Sequence, residues 1–356
     1  MRPIFDGHLD LALYATAWNR DMTEDVATIN ERESGMTDDR SRGGAVVSLP
    51  EMRRGRVAIC QSTVAARACQ DKQVTSCLDL DHRTQAIAYA HAYAQLSYYR
   101  VLQEQGEIQL IGTQAELNAH WDRWVSSGTH ELPIGLIVSM EGADPIVEPE
   151  QAAAWWNEGV RSVMLTHFGK SHYAAGTWST GPLTGKGHEV LKEFERIGMV
   201  LDLTHLCDES FFQAMDAFDG PVIASHSNCR TLVNHERQFT DEQLKLLIER
   251  GAVIGSALDG WMLVNDWSVG DPVPDDLSFE TYVDHIDHVC QLAGNSHHAG
   301  IGTDTGARYH MANDFRVMGD LRRVEGILES RGYSAEDIGN ILFDNWLRFF
   351  RCHLPE

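Results

Sequence analysis

Long hydrophobic runs and closely paired cysteines are both missing from this sequence. No stretch approaches the ~18 consecutive apolar residues that a membrane-spanning helix needs, and no basic start leads into an apolar core, so we expect neither a membrane span nor a secretory signal. The tail His353-Leu354-Pro355-Glu356 does not match a lipid-anchor signal. The seven cysteines show no CxxC spacing, which favours reduced thiols in the cytoplasm. Cys69 and Cys77 flank a short polar segment and could pair if oxidised, although reduced thiols are favoured there as well.

Positive charge is scarce in the chain. Lysine and arginine number 29 against 52 aspartates and glutamates, which gives a formal net charge of −23. This charge argues against nucleic acid or anionic lipid as partners. We interpret it mainly as a solubility feature, since bound cations would offset only a few charges. With 43% apolar residues over 356 positions, we predict a globular protein with one domain, 1–356. The oligomeric state is left open, a homodimer included.

Eight short apolar runs alternate with longer helical patterns. This alternation predicts parallel strands joined by crossover helices, that is, an α/β protein with a (β/α)8 TIM barrel. The predicted strands are 3–8, 57–64, 134–140, 162–165, 199–203, 222–224, 252–256 and 299–303. Helices are predicted over 187–198 and after the capping pairs Thr240/Gln243 and Ser334/Asp337. The polar segment 20–44 and the glycine-rich segment 169–187 are expected to form loops over the barrel mouth.

Histidines and carboxylates stand at the ends of the predicted strands. His8 and Asp10 are two apart on the first strand and therefore point to the same face, where a buried pair without a cation would be costly. Glu141, His205 and His226 each follow a later strand. Taken singly, each has a structural interpretation as a surface cap or a satisfied core imidazole. Together they predict two divalent ions such as Zn²⁺ at one barrel mouth, with Glu141 bridging them and hydrolysis as the chemistry.

Four further residues are candidates for roles beside the metals. Asp304 follows the last strand; it could begin an Asx turn into a loop or carry a proton to a leaving amine. His167 is the best candidate for a non-ligand imidazole. Arg230 and Arg237 follow His226, and either could bind an anionic substrate group. The remaining clusters are interpreted as surface or packing residues: Asp284, His285, Asp287 and His288 on a predicted helix, and the aromatic pairs Trp155-Trp156 and Phe349-Phe350 in the core.

The sequence resembles the membrane (renal) dipeptidase family, binuclear zinc peptidases on an amidohydrolase-like (β/α)8 barrel. The resemblance spans nearly the whole chain, and its motifs occur in order: Asp6-Gly7-His8-Leu9-Asp10, Glu141-Gly142-Ala143, Leu165-Thr166-His167, Gly181-Pro182-Leu183-Thr184-Gly185-Lys186-Gly187, Asp202-Leu203-Thr204-His205, Ser225-His226-Ser227-Asn228, Gly302-Thr303-Asp304 and Asn345-Trp346-Leu347-Arg348-Phe349-Phe350. The absence of a secretory signal and of an anchor tail is similar to the intracellular bacterial members.

The resemblance implies a role for each site residue. His8 and Asp10 would bind one zinc, His205 and His226 the other, and Glu141 both. His167 would polarise the scissile carbonyl, Asp304 would relay the proton, and Arg237, rather than Arg230, would bind the substrate carboxylate. The implied reaction is hydrolysis of L,L or L,D dipeptides by a hydroxide that bridges the two metals.

The chain departs from the family pattern around the substrate. Ala143-Asp144-Pro145 follows Glu141, Thr305-Gly306-Ala307 follows Asp304, and segments 20–44 and 65–81 have no counterpart in the family. These departures leave the preferred dipeptide open. The rival hypotheses are hydrolysis of another small amide, an N-acyl amino acid or a lactone, and a non-catalytic metal-binding barrel. The first commonly uses a carboxylated lysine as bridge, and no lysine closes a central strand here.

Overall fold

The computed structural model describes residues 2–69, 80–127, 131–268 and 271–356. Eleven strands occur in these ranges: β1 Ile4–Leu9, β2 Val57–Ala65, β3 Arg67–Ala68, β4 Asp81–His82, β5 Ile108–Leu110, β6 Ile134–Glu141, β7 Val160–Met164, β8 Val200–Asp202, β9 Val222–Ile223, β10 Ile254–Ser256 and β11 Ala299–Ile301. The pair β3–β4 forms a small separate sheet, and β5 pairs with β6.

Eight parallel strands form a closed ring in the order β1, β2, β6, β7, β8, β9, β10, β11. The ring is closed by the pairing of Asp6 with Ile301 and by a bridge between Ala224 and Ile254. All residues of β1, β2, β6 and β7 are buried, as expected for parallel strands covered on both faces. The predicted (β/α)8 barrel is therefore confirmed, and each of the eight predicted strands overlaps one strand of the ring.

Thirteen α-helices lie in the described ranges, most of them around this ring. They are α1 Leu11–Trp18, α2 Val26–Arg32, α3 Leu49–Arg54, α4 Gln85–Glu104, α5 Gln114–Ser126, α6 Ala152–Asn157, α7 Gly185–Ile197, α8 Asp208–Ala217, α9 Asp241–Glu249, α10 Phe279–Ala293, α11 Arg323–Ser330, α12 Ala335–Gly339 and α13 Asn345–His353. The predicted capping boxes are present at Thr240 and Ser334. A search of the described helices finds none both long enough and apolar enough to cross a bilayer.

The segment 20–44 is more ordered than a loop. It contains α2, whose Val26 and Ile29 are buried against Ala45, and a buried ion pair in which Arg20 Nε donates to Glu33 Oε1 at 2.8 Å. Two apolar residues one turn apart were too weak a periodic signal to predict this helix. Cys77 and most of segment 65–81 lie outside the described residues, so the expectation for a Cys69–Cys77 pair stays a prediction.

Close backbone contact between neighbouring strands sets the position of Ser225 and His226. A Cβ atom built on Gly302 would lie 1.9 Å from the Ser225 carbonyl oxygen, and one on Gly255 would lie 2.0 Å from it. Only glycine fits at these two positions of β10 and the β11 end. The absence of two side chains therefore lets the chain carrying His226 approach the barrel axis.

Candidate metal centre and active site

The candidate site residues lie at the carboxyl ends of the ring strands. His8 is in β1, Asp10 is the first residue after it, and Glu141 is the last residue of β6. His205, His226 and Asp304 each lie three residues past the end of β8, β9 and β11. In a (β/α)8 barrel this face carries the active site.

Four imidazoles converge on one oxygen of Glu141, and three of them belong to the candidate ligands His8, His205 and His226. The distances from Glu141 Oε1 are 3.6 Å to His8 Nε2, 3.4 Å to His205 Nε2 and 3.5 Å to His226 Nε2. Glu141 is 2% exposed. Neither ring nitrogen of His8 has a hydrogen-bond partner within the described part of the chain. A buried imidazole with both nitrogens unsatisfied is unfavourable, so this arrangement fits ligands arranged around a cation.

Three groups of residues have ligand atoms close enough to share an ion. They are His8/Asp10/Glu141, Glu141/His205/His226 and His8/His226/Asp304, with the atoms of each group within 4.8 Å of one another. The first two match the two predicted sites, and they share Glu141. The donor set of imidazole nitrogens and carboxylate oxygens suits Zn²⁺ and related divalent ions.

Hydroxyl groups orient the candidate ligands. Thr177 Oγ1 lies 2.9 Å from His205 Nδ1, and Ser225 Oγ lies 2.9 Å from His226 Nδ1, so in both rings Nε2 is the nitrogen turned to the centre. Thr63 donates to Asp10. Such contacts to the second ring nitrogen are typical of metal-binding histidines.

Two of the candidate residues have unusual backbone conformations. His205 and Asp304 adopt left-handed φ angles of 72° and 52°. Few non-glycine residues adopt this region, and those that do concentrate at functional sites.

Negative charge is concentrated in the buried centre. Burial, with Asp10 close by, raises the pKa of Glu141 well above its usual range. Burial alone would lower the pKa of His8, but Glu141, Asp10 and Asp304 raise it to about 10. Burial also raises the pKa of Asp304 to about 7. All three pKa values are raised, as expected for a buried carboxylate cluster without compensating positive charge, which bound cations would supply.

His167 and Arg237 face the same centre, whereas Arg230 does not. His167 Nε2 lies 3.6 Å from Glu141 Oε1. Arg237 is 3% exposed, and its guanidinium donates to the His226 carbonyl at 2.7 Å and to Ser227 Oγ at 3.2 Å. Burial lowers the pKa of Arg237 to about 10, so it stays charged at neutral pH. Arg230 instead forms a two-pronged ion pair with Asp208, at 2.7 and 2.8 Å.

These groups open into one cavity of about 940 Å³, which we call the mouth cavity. It is lined by the site residues Asp10, Glu141, His167, His205, Arg237 and Asp304, and by Arg40, Phe168, Trp178, Asp259, Trp261, Trp267 and His310 among others. These other lining residues were not assigned to the site from the sequence. Asp259, whose Oδ1 lies 3.0 Å from His310 Nδ1, follows the end of β10 by three residues. That is the spacing of His205, His226 and Asp304 from their strands, a signal in the sequence that could have identified it.

The residues interpreted as surface or packing groups lie away from this cavity. His285 is buried on α10, and its Nδ1 accepts a hydrogen bond from the Cys229 backbone at 3.0 Å. His288 pairs with Asp241 at 2.8 Å. Trp155 and Phe350 are fully buried.

A closed ring of eight parallel strands with clustered imidazoles and carboxylates at its carboxyl face defines a metal-dependent hydrolase barrel. The family model described as membrane dipeptidase, peptidase family M19, matches residues 1–353. The chain therefore belongs to this family, which confirms the resemblance and makes it a metal-dependent hydrolase of peptide bonds.

Individual relatives are distant in sequence. Dipeptidase verJ of Clonostachys rogersoniana is 25% identical over 352 residues, which cover 97% of this chain and 83% of that protein. Dipeptidase tcpJ of Claviceps purpurea is 29% identical over 197 residues, 54% of this chain and 44% of that protein, so the match spans less than half of its length. A metallopeptidase from Rhodobacter sphaeroides is 20% identical, covers 99% of both chains and has a TM-score of 0.78, which shows a shared fold.

Proposed function

We propose that this protein is a binuclear zinc dipeptidase whose two metal sites share Glu141. His8 and Asp10 would hold one ion, and His205 and His226 the other. The observation that carries the proposal is that the Nε2 atoms of His8, His205 and His226 lie 3.4 to 3.6 Å from Glu141 Oε1, within groups whose ligand atoms are all within 4.8 Å of one another. These separations are too long for hydrogen bonds and suit atoms arranged around a common centre.

The choice of zinc rests on the donor atoms. Three imidazoles and two carboxylates, with no thiolate in the group, match the ligands that hydrolytic zinc sites use. When bound, the ions would supply an acidified water as nucleophile and polarise the scissile carbonyl.

Arg237 would determine the substrate class. It is a buried cation on the wall of the mouth cavity, and a planar guanidinium can bind a carboxylate with two parallel hydrogen bonds. A free C-terminal carboxylate held there would restrict cleavage to the last peptide bond of a substrate, which in a dipeptide is its single peptide bond. The Rhodobacter sphaeroides metallopeptidase is liganded with a phosphinate mimic of L-Ala-D-Ala, which supports dipeptides, including those with a C-terminal D-residue, as substrates here.

His167 and Asp304 would handle charge and protons. His167 Nε2 faces the centre and would donate a hydrogen bond to the carbonyl oxygen as negative charge develops on it. Asp304 is 25% exposed in its side chain and borders the same cavity. It would accept a proton from the attacking water and deliver it to the leaving nitrogen.

The proposed compartment is the cytoplasm. The six described cysteines are free thiols, which supports a reducing environment.

A dipeptide screen tests the proposal. Metal-replete protein is assayed against L,L and L,D dipeptides, and against N-acyl amino acids and lactones. We expect cleavage of free dipeptides, loss of cleavage after chelation and its return with Zn²⁺. Faster turnover of N-acyl amino acids or lactones would contradict the proposal, as would full activity in the chelated protein.

A further inference from the structure

Arg67 contacts the ring of His167 from the side opposite the metal ligands. It lies in β3, two residues past the end of β2, in the segment to which the sequence analysis gave no role. Its Nη1 is 3.3 Å from His167 Nδ1. A guanidinium has hydrogen-bond donors and no acceptor, so Nδ1 must be the acceptor in this contact. In a neutral ring the proton then resides on Nε2.

The protonated nitrogen of His167 faces the reaction centre, since Nε2 lies 3.6 Å from Glu141 Oε1. With the opposite tautomer, Nε2 would present a lone pair to a developing oxyanion and would oppose its formation. Because Nδ1 accepts from Arg67, the ring carries at most one proton, on Nε2, and this placement decides whether it can donate towards the centre.

We propose that Arg67 is a positioning residue that holds His167 as the Nε2–H tautomer, so that this histidine can donate a hydrogen bond to the oxyanion. The inference rests on the proposed function for its catalytic meaning, while the tautomer itself is measurable without activity.

Arg67 is itself held in place. Its Nε lies 2.7 Å from Asp81 Oδ1, and its guanidinium carbon is 5.8 Å from the centre of the Phe168 ring. Arg67 and Asp81 are also paired in the β3–β4 sheet. A guanidinium fixed by an ion pair and an aromatic ring makes a directed contact at little cost in side-chain entropy.

Direct contact of Arg67 with substrate is not supported by its position. Arg67 lines an adjoining cavity of about 360 Å³, whereas Arg237 and Asp304 line the mouth cavity. His167, Phe168 and Trp178 line both cavities, and Arg67 contacts a ring nitrogen of His167, so we infer that it acts on the mouth cavity through this ring.

The test is nitrogen NMR of protein labelled with ¹⁵N-histidine, with the His167→Gln variant used to assign the ring. In the wild type we expect an unprotonated Nδ1 and a protonated Nε2 for His167. In Arg67→Met the Nδ1–H form should appear. A wild-type His167 ring protonated on Nδ1 would overturn the proposal, whether or not Arg67→Met folds.

Kinetics supply the second readout, provided that the wild type cleaves dipeptides. Arg67→Met should lower kcat by about 10–100-fold, the range for removing a group that orients a site residue, with KM and metal content little changed. In the His167→Gln background the same substitution should have no further effect on kcat. An equal loss in that background would show that Arg67 acts independently of His167.

Arg161→Met is the matched control. Arg161 is also largely buried and stacked on an aromatic ring, 4.2 Å from the centre of Trp156, but it lies near the start of β7, at the opposite end of the barrel. The control should change neither the His167 spectrum nor kcat. If the wild type cleaves no dipeptide, the proposed function fails, while the spectrum still decides the tautomer.

Discussion

His205 and His226 direct their Nε2 atoms at each other across 3.1 Å. Glu141 Oε1 lies 3.4 and 3.5 Å from these atoms, so the three candidate ligand atoms form a nearly equilateral triangle. Zn–N bonds of about 2.0–2.1 Å in a tetrahedral site place neighbouring ligand atoms about 3.3 Å apart. The triangle therefore has the dimensions of one face of a tetrahedral zinc site.

Removing a ligand of one metal site should empty that site and leave the other occupied. We predict about two divalent ions per wild-type chain and about one in His205→Ala, because Glu141, His8 and Asp10 remain for the other ion. Glu141→Gln should weaken both sites. Elemental analysis of the purified proteins measures this, with His188→Ala, at an exposed position on α7, as the control. A wild type that holds one ion after incubation with excess zinc would contradict the bridging role.

Asp304→Asn should keep the metals and the fold but lose most turnover. An amide cannot accept the proton, and general acid–base groups usually contribute about 10²–10⁴-fold in rate. Asparagine tolerates the left-handed backbone of this position, so added backbone strain should not contribute to the loss of turnover.

Asp266→Asn is the matched control for that substitution, since Asp266 is also left-handed and lines the mouth cavity, but is exposed. Steady-state kinetics with metal analysis compares the two variants. Near wild-type turnover in Asp304→Asn would exclude the proton relay.

The predictability of this molecule from its sequence follows the strength of each local signal. Ring strands such as β6 are buried on both faces, so they appear in the sequence as apolar runs with a polar residue at the end. The short strand β5 and helix α2 bury few side chains and were missed. The contacts Asp259–His310 and Arg67–His167 join positions 51 and 100 residues apart. Contacts formed only by the fold leave no periodic pattern, so only the three-residue offset of Asp259 was visible beforehand.

Gly302→Ala should destabilise the barrel near its metal-binding face. The new methyl group would lie 1.9 Å from the Ser225 carbonyl oxygen and 3.0 Å from Gly255 Cα, and overpacking of this kind costs about 1–3 kcal/mol or more. Because His226 follows Ser225, zinc affinity should fall as well.

Gly326→Ala is the control for this loss. Gly326 lies within α11 and has no atom within 4 Å of the built Cβ, so alanine there should stabilise the protein by about 0.5–1 kcal/mol. Denaturant unfolding of the two variants gives the difference in free energy of unfolding. A Gly302→Ala protein as stable as the wild type would show that the strands can separate without loss.

Arg237→Met should show whether this side chain binds the free carboxylate of the substrate. Methionine keeps part of the length and removes the charge. Loss of a buried charge-assisted pair with the substrate should lower kcat/KM, equivalent to about 2–4 kcal/mol in activation free energy. The loss should vanish for dipeptides whose C-terminal carboxylate is amidated, because they never form the pair.

Arg230→Met is the matched control for Arg237→Met, since Arg230 follows the same histidine but pairs with Asp208 outside the mouth cavity. It should leave kcat/KM for free dipeptides unchanged. Thermal unfolding must first show that Arg237→Met is folded, because the side chain also donates to the His226 carbonyl. An equal loss on free and amidated substrates would then mean that Arg237 acts by holding His226 in place. A wild type that cleaves amidated dipeptides as fast as free ones would contradict the carboxylate-binding role, and with it the restriction to the C-terminal peptide bond.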